Sequence, residues 1–264
     1  MNFLNFIAAD LGNSRIKLFI NCLEPGTTKL KKEYVSFSYS EDKDWINAIM
    51  EIFTGYSGSR IDFCYSSVNI TKLENLLSHL AEIKGIRFKD ASDMIDRSGI
   101  IDFGRAEGMG TDRMLGLFGA LKYCSPPFIT IDAGTAITIN AIDWGSRFLG
   151  GAIMPGIFTQ IKSLAASASG LSAISLKAPV KASGLNTKEA MRSGILTGSF
   201  GAIKEIIDRM EKEEFAEKPV PVIATGGTIE LLKLNLAGHF SDFRVVKHLV
   251  LEGIEYLYSS VDNT

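Results

Sequence analysis

The chain has 264 residues, 46% of them hydrophobic and 22% charged, with a net charge of −2. This describes a globular protein of one or two domains that can bury a core without staples, and it argues against nucleic acid or an anionic membrane as the main partner, since both need a basic excess. Three scattered cysteines (Cys22, Cys64, Cys124) and three histidines (His79, His239, His248) offer neither a disulfide framework nor zinc-ligand spacing. The opening MNFLNFIAAD has no basic n-region and its apolar run stops at Asp10, so no signal peptide is expected. No stretch approaches eighteen uninterrupted apolar residues, and the expected setting is a reduced cytoplasm.

In chain order, a strand-like run from Phe6 to Ala9 ends in Asp10-Leu11-Gly12-Asn13-Ser14 and is followed by a second run, Ile16 to Ile20. The pattern reads as a hairpin with a glycine where φ turns positive. Glu33 to Phe37 closes a three-stranded meander, Trp45 to Phe53 reads as a helix, and Ile61 to Ser66 as a buried strand. From Leu73, apolar residues at Leu76, Leu77, Leu80 and Ile83 have amphipathic helical spacing. Gly110-Thr111-Asp112-Arg113 then leads a helical run, Met114 to Tyr123.

The opening pattern now repeats. Phe128 to Ile131 ends in Asp132-Ala133-Gly134-Thr135-Ala136, Ile137 to Ile142 follows, and Phe148 to Ile153 runs as a third strand into Pro155-Gly156. A long helix starts at Asn186 or Thr187, where Glu189 completes a capping box, and continues to about Met210 despite Gly194, Gly198 and Gly201. The strand Val220 to Ala224, the turn Thr225-Gly226-Gly227-Thr228, a helix, a short strand near Val245 and a closing helix from Leu249 complete the chain. Two copies of one hairpin, nearly half the chain apart, predict two α/β lobes of related topology, residues 1–112 and 113–264.

Each Asp-x-Gly turn suits an anion. A tight turn points backbone N–H groups into one concavity, Asn13, Ser14 and Thr135 add side-chain donors, and the leading carboxylate can hold a cation against phosphates. Taken singly, each turn is most simply a plain hairpin turn; two copies in equivalent strand contexts carry the anion reading. At Gly226-Gly227, close backbone approach would admit an adenosine, with helix capping an equal alternative. Asp112 and Arg113 read either as a helix-start acid beside a cation, or as a general base with a fork for an anionic group.

Taken together, Asp10-Leu11-Gly12-Asn13-Ser14, Gly110-Thr111-Asp112-Arg113, Asp132-Ala133-Gly134-Thr135-Ala136, Gly150-Gly151-Ala152-Ile153-Met154-Pro155-Gly156, Asn186-Thr187 and Thr225-Gly226-Gly227 occur in one order. The ordered set resembles the type III pantothenate kinases over nearly the whole chain. The resemblance implies a duplicated actin-like, ribonuclease H-like α/β fold with two lobes around a nucleotide cleft. It implies ATP-dependent phosphorylation of pantothenate, the first step of coenzyme A synthesis, with Mg²⁺, a monovalent cation (K⁺ or NH₄⁺) and a homodimer.

Carried over by position, Asp10, Leu11, Gly12, Asn13, Ser14, Arg15, Ile16 and Lys17 match the first ATP-phosphate loop, and Thr135 contributes from the second. Asp132 matches the monovalent-cation residue, and Asp10 is the candidate for the divalent metal. Gly110, Thr111, Asp112 and Arg113 match the pantothenate-binding stretch, with Asp112 on the proton acceptor, and Thr187 matches a substrate contact near the dimer interface.

The chain departs from the family pattern at Phe103, where a tyrosine contacting substrate is common, and at Gly116 and Asn140, where asparagine and an acid are usual. Arg105 to Met109 also lacks the proline common before Gly-x-Asp-Arg. The alternatives are another small-molecule kinase with a diverged acceptor pocket, or an actin-like ATP-binding regulatory protein that has lost transfer.

Overall fold

The computed structural model describes residues 5–24, 26–27, 29–56, 58–104, 106–167, 174–176 and 180–261. Arg105 and the first four residues therefore lie outside the described residues. The described chain divides into two compact units, one of residues 5–99, 108–122 and 250–261, the other of 100–107 and 123–249.

The first unit holds β1 (Asn5–Leu11), β2 (Arg15–Leu23), β3 (Leu30–Ser38), α1 (Trp45–Thr54), β4 (Ile61–Ser67), α2 (Ile70–Leu80), β5 (Ile86–Asp90), α3 (Ala91–Ser98) and α4 (Thr111–Ala120). Its sheet has the order β3-β2-β1-β4-β5, with β1, β2 and β3 antiparallel and β1, β4 and β5 parallel. β1 is buried at all seven positions, as a central strand covered on both faces must be, and so it reads as one apolar run. β3 lies at the edge, and Lys31 and Lys32 on it discourage pairing with another chain. The core gathers Ile7, Leu18, Ile49, Phe53, Phe63 and Leu76.

The second unit holds β6 (Phe128–Ala133), β7 (Ala136–Ile142), β8 (Phe148–Pro155), α5 (Ile157–Ser167), α6 (Thr187–Glu214), β9 (Val222–Thr225), a 3₁₀ turn (Ile229–Leu231), α7 (Lys233–His239) and β10 (Phe243–Val245). Its sheet order, β8-β7-β6-β9-β10, repeats the first unit strand for strand and direction for direction. Ile129, Ile131, Ile139, Ile195, Ile203 and Val222 form its core. The duplicated topology expected from the two hairpins is present, and Asn186 caps α6: its side chain accepts from the Glu189 amide at 3.0 Å, while the Glu189 carboxylate reaches back to accept the Asn186 side-chain amide at 2.8 Å and the Leu185 amide at 2.9 Å.

Three expectations need correction. A boundary at 112/113 would cut through α4, whose buried run Leu115–Ala120 packs in the first unit. The closing helix α8 (Leu249–Val261) also returns there, against both the sequence order and the expected 113–264 lobe. Its Tyr258 hydroxyl donates to the fully buried Asp62 carboxylate at 2.8 Å, and its ring stacks on Phe6 with centroids 4.4 Å apart. Asp62 also accepts from Arg87 and lies 3.8 Å from the Lys89 ammonium, so a buried charge is compensated from three directions. Finally, neither Gly12 nor Gly134 takes a positive φ. Both turns close through ordinary backbone bonds, Gly12 N–H to Arg15 at 3.0 Å and Gly134 N–H to Ala136 at 2.9 Å.

Candidate active site

In both sheets the candidate residues stand where the central strand and its parallel neighbour end, the place at which open α/β sheets leave polar groups for ligands. In the first unit Asp10, the penultimate residue of β1, lies opposite Lys17 of β2 and Ser66 of β4. Asp10 is 9% exposed and its carboxylate lies 3.7 Å from the Lys17 ammonium. Burial raises its pKa, the Lys17 charge opposes that, and the Asp112 charge adds to it. Leu11 and Ile16 are core residues, so within the predicted first loop they anchor the turn while Asn13, Ser14 and Arg15 are exposed. The Ser14 carbonyl accepts the Tyr39 amide at 3.1 Å, which ties the turn to the end of β3.

Ser66 links this strand end to α4, because its hydroxyl and that of Thr111 lie 2.9 Å apart. Gly110 is the N-cap of α4, and a Cβ there would come within 2.6 Å of the Asp112 carboxylate. One Asp112 oxygen accepts the Arg113 amide at 2.8 Å, the contact that a helix-start acid makes. Desolvation lowers the pKa of Arg113, with the Asp112 charge working against the shift, and the guanidinium stays cationic. Tyr39 completes the group. Its hydroxyl is buried with no hydrogen-bond partner among the described residues, and burial, with a smaller contribution from Asp10, pushes the phenol well above its ordinary value. The first unit thus joins Asp10, Lys17, Asp112 and Arg113 into one charged group, with Ser66 and Tyr39 added. Neither addition was predicted, although Ser66 follows an apolar strand as Asp10 does.

In the second unit Asp132, near the end of β6, pairs with Thr138 of β7 and Thr225 of β9, matching the Asp10 and Ser66 arrangement. The exposed Thr135 carries the turn's hydroxyl. The space that a Cβ at Gly226 would occupy is filled by the Ala133 backbone at 2.5 Å, whereas Gly227 is exposed with open space around it. Room for a ligand's close approach therefore exists at Gly227, and Gly226 serves the packing of its own loop.

Phe103 belongs to the second unit, where its ring centroid is 6.0 Å from that of Phe148. Beside it, Asp102, Gly104, Arg147, Phe148 and Leu149 line a cavity of about 260 Å³. Asn140 is buried in β7, and Gly116 is buried in α4 with room for a larger side chain. Thr187 is exposed in the first turn of α6, two residues from Leu185, which is 96% exposed.

Comparison with known proteins decides the family. The type III pantothenate kinase profile matches residues 6–209, most of the chain and both hairpins. The chain belongs to the type III pantothenate kinase family. A type III pantothenate kinase of Synechococcus elongatus is 38% identical over 149 residues, 56% of this chain and 59% of that protein. One from Persephonella marina is 29% identical over 260 residues, 96% of this chain and 98% of that protein. The matches to the Synechococcus protein and to the Francisella tularensis type III pantothenate kinases span less than two thirds of those relatives' length.

Among solved structures, a Campylobacter jejuni protein described as a Baf family transcriptional activator superposes with a TM-score of 0.60 at 22% identity, over 98% of this chain and 100% of that one. The ADPNP-bound activator of 2-hydroxyisocaproyl-CoA dehydratase from Clostridium difficile does so with a TM-score of 0.52 at 8% identity, over 98% and 95%. The fold is the duplicated actin-like α/β fold.

The donor set fits a divalent cation held mainly by its ligand. Among the described residues no three or more His, Cys, Asp or Glu side chains form a metal-binding group. Asp10, desolvated and within the field of Asp112, would supply one carboxylate, with phosphate oxygens and water completing the shell as Mg²⁺ prefers. Among the described residues no helix is long and apolar enough to cross a membrane.

Proposed function

We propose that this chain transfers the γ-phosphoryl group of ATP to the hydroxyl of pantothenate, the first step of coenzyme A synthesis, as a cytoplasmic enzyme. The observation that carries the reading is the coupling of Asp112 to Asp10 through α4, Thr111 and Ser66 in a chain of this family. The acceptor oxygen attacks the γ-phosphorus, the bond to the β-phosphate oxygen breaks, ADP leaves, and the hydroxyl proton passes to the Asp112 carboxylate. Arg113 pairs with the substrate carboxylate, and Gly110 and Thr111 shape the same end of α4. Phe103 offers an apolar wall where a tyrosine would add a hydroxyl.

The loop Asp10 to Lys17 and Thr135 bind the ATP phosphates, and Gly227 admits the adenosine with Gly226 behind it. Mg²⁺, held by Asp10, would neutralise phosphate charge, and a monovalent cation, K⁺ or NH₄⁺, would sit at Asp132. We also infer a homodimer in which Thr187 reaches a substrate pocket, supported by the exposed Leu185 beside it.

The test is ADP release by the purified chain with and without pantothenate, in K⁺ and then in a bulky organic cation. Release that depends on pantothenate is expected. ATP binding without such release would support the regulatory-protein reading instead. Light scattering checks the dimer, and a fully active monomer at micromolar concentration would remove it.

A further inference from the structure

The turn at Gly134-Thr135 is held by far more than its own hairpin. Its two flanking carbonyls would face water in an isolated hairpin, yet each here accepts two hydrogen bonds. The Ala133 oxygen takes the Thr228 amide at 3.0 Å and the Thr228 hydroxyl at 2.8 Å. The Thr135 oxygen takes the Gly156 amide at 2.9 Å and the Thr159 hydroxyl at 2.6 Å. Each clamp is thus a backbone amide plus a threonine hydroxyl, and both lone pairs of each carbonyl are used.

The two clamping segments approach as closely as backbone can. A Cβ on Gly156 would stand 2.2 Å from the Gly134 oxygen, and one on Gly226 would stand 2.5 Å from the Ala133 backbone. Thr228 is 4% exposed, so its hydroxyl has no competing water. We propose that Thr228 and Thr159 are positioning residues whose hydroxyls hold the Asp132–Thr135 loop in its phosphate-binding shape. The inference rests on the kinase reading above. It also accounts for Gly156, the end of a motif for which that reading has no other use. Preorganised groups bind a charged ligand without first losing freedom, so loosening the loop should weaken ATP binding more than it slows the chemical step.

The experiment compares the full-length wild type with Thr228→Val, Thr228→Ser and Thr159→Val. In the ligand-free chain, Thr228→Val should speed hydrogen exchange of the 134–136 amides by about tenfold. The KM for ATP should rise about five- to twentyfold, with kcat and the KM for pantothenate within about twofold of wild type. Thr228→Ser, which keeps the hydroxyl, should restore both. Thr159→Val, at a half-exposed site, should shift the same two readouts less, and it decides the matter if Thr228→Val does not fold. A lower Tm with unchanged loop exchange and unchanged KM for ATP would overturn the proposal, leaving Thr228 as a turn cap. The kinase reading fails separately, if ATP neither protects the wild-type loop from exchange nor is consumed when pantothenate is added.

Discussion

The two halves share one topology but secure their candidate loops in opposite ways. In the first unit the strand beside Asp10 carries Ser66 next to its end, and the Ser66 hydroxyl turns away to Thr111 and so to the helix that carries Asp112. In the second the strand beside Asp132 ends in Thr225, and the turn that follows folds back onto the loop itself, through Thr228 and Ala133. The first loop is connected to the group proposed to do chemistry; the second is clamped by two other segments of its own unit, at Thr228 and at Gly156 and Thr159. A duplicated fold can therefore give its halves different work without changing a strand, because only the residues just past the strand ends differ.

If that division of labour holds, Asp112→Asn should have the largest effect. Removing the basicity while keeping the shape should lower kcat by roughly 10²–10⁴-fold and change ATP binding little. A stable variant with wild-type kcat would leave Asp112 as a helix-start residue and dissolve the difference between the halves. The second loop should respond in binding instead. Asp132→Asn should abolish the advantage of K⁺ over a bulky organic cation, a difference on the order of tenfold in the KM for ATP in the wild type. Equal kinetics in the two salts would remove the cation site.

Smaller effects concern stability. Tyr258→Phe removes one of the groups compensating Asp62 and should cost about 1 kcal/mol in urea unfolding, with the KM for ATP unmoved. An unchanged midpoint would mean that Arg87 and Lys89 suffice. A further effect on stability is at Asp10, whose carboxyl burial holds above its ordinary value of 3.8. The native state then keeps a proton that the unfolded chain has already released, so stability falls as pH rises from the unfolded value through the folded one. Asp10→Asn should accordingly raise Tm at pH 7, and the gain should vanish in acid. A lower Tm at neutral pH would show that the Lys17 pair outweighs desolvation.

Much of this molecule was legible in one dimension. The buried strand Ile61–Ser67, the helices at Trp45 and Asn186, and the closing helix at Leu249 announce themselves by period, cap or apolar run, since these signals are local. The repeated Asp-x-Gly hairpin was enough to predict the duplication, and the ordered motifs the family. β5, α3 and α5 escaped, because Ile86–Asp90 is a short, polar edge strand, α3 has eight residues, and α5 mixes its apolar face with Thr159, Gln160 and Lys162.

What tertiary structure alone decided lies in contacts between distant residues: α8 closing on Asp62, Ser66 meeting Thr111, Thr228 meeting Ala133. A serine or threonine in sequence shows its hydroxyl but not which carbonyl it will meet. The two glycines Gly156 and Gly226 look like turn residues on paper. Only packing reveals that their missing side chains make room for the backbone of another segment, a property of two surfaces rather than of either stretch of chain.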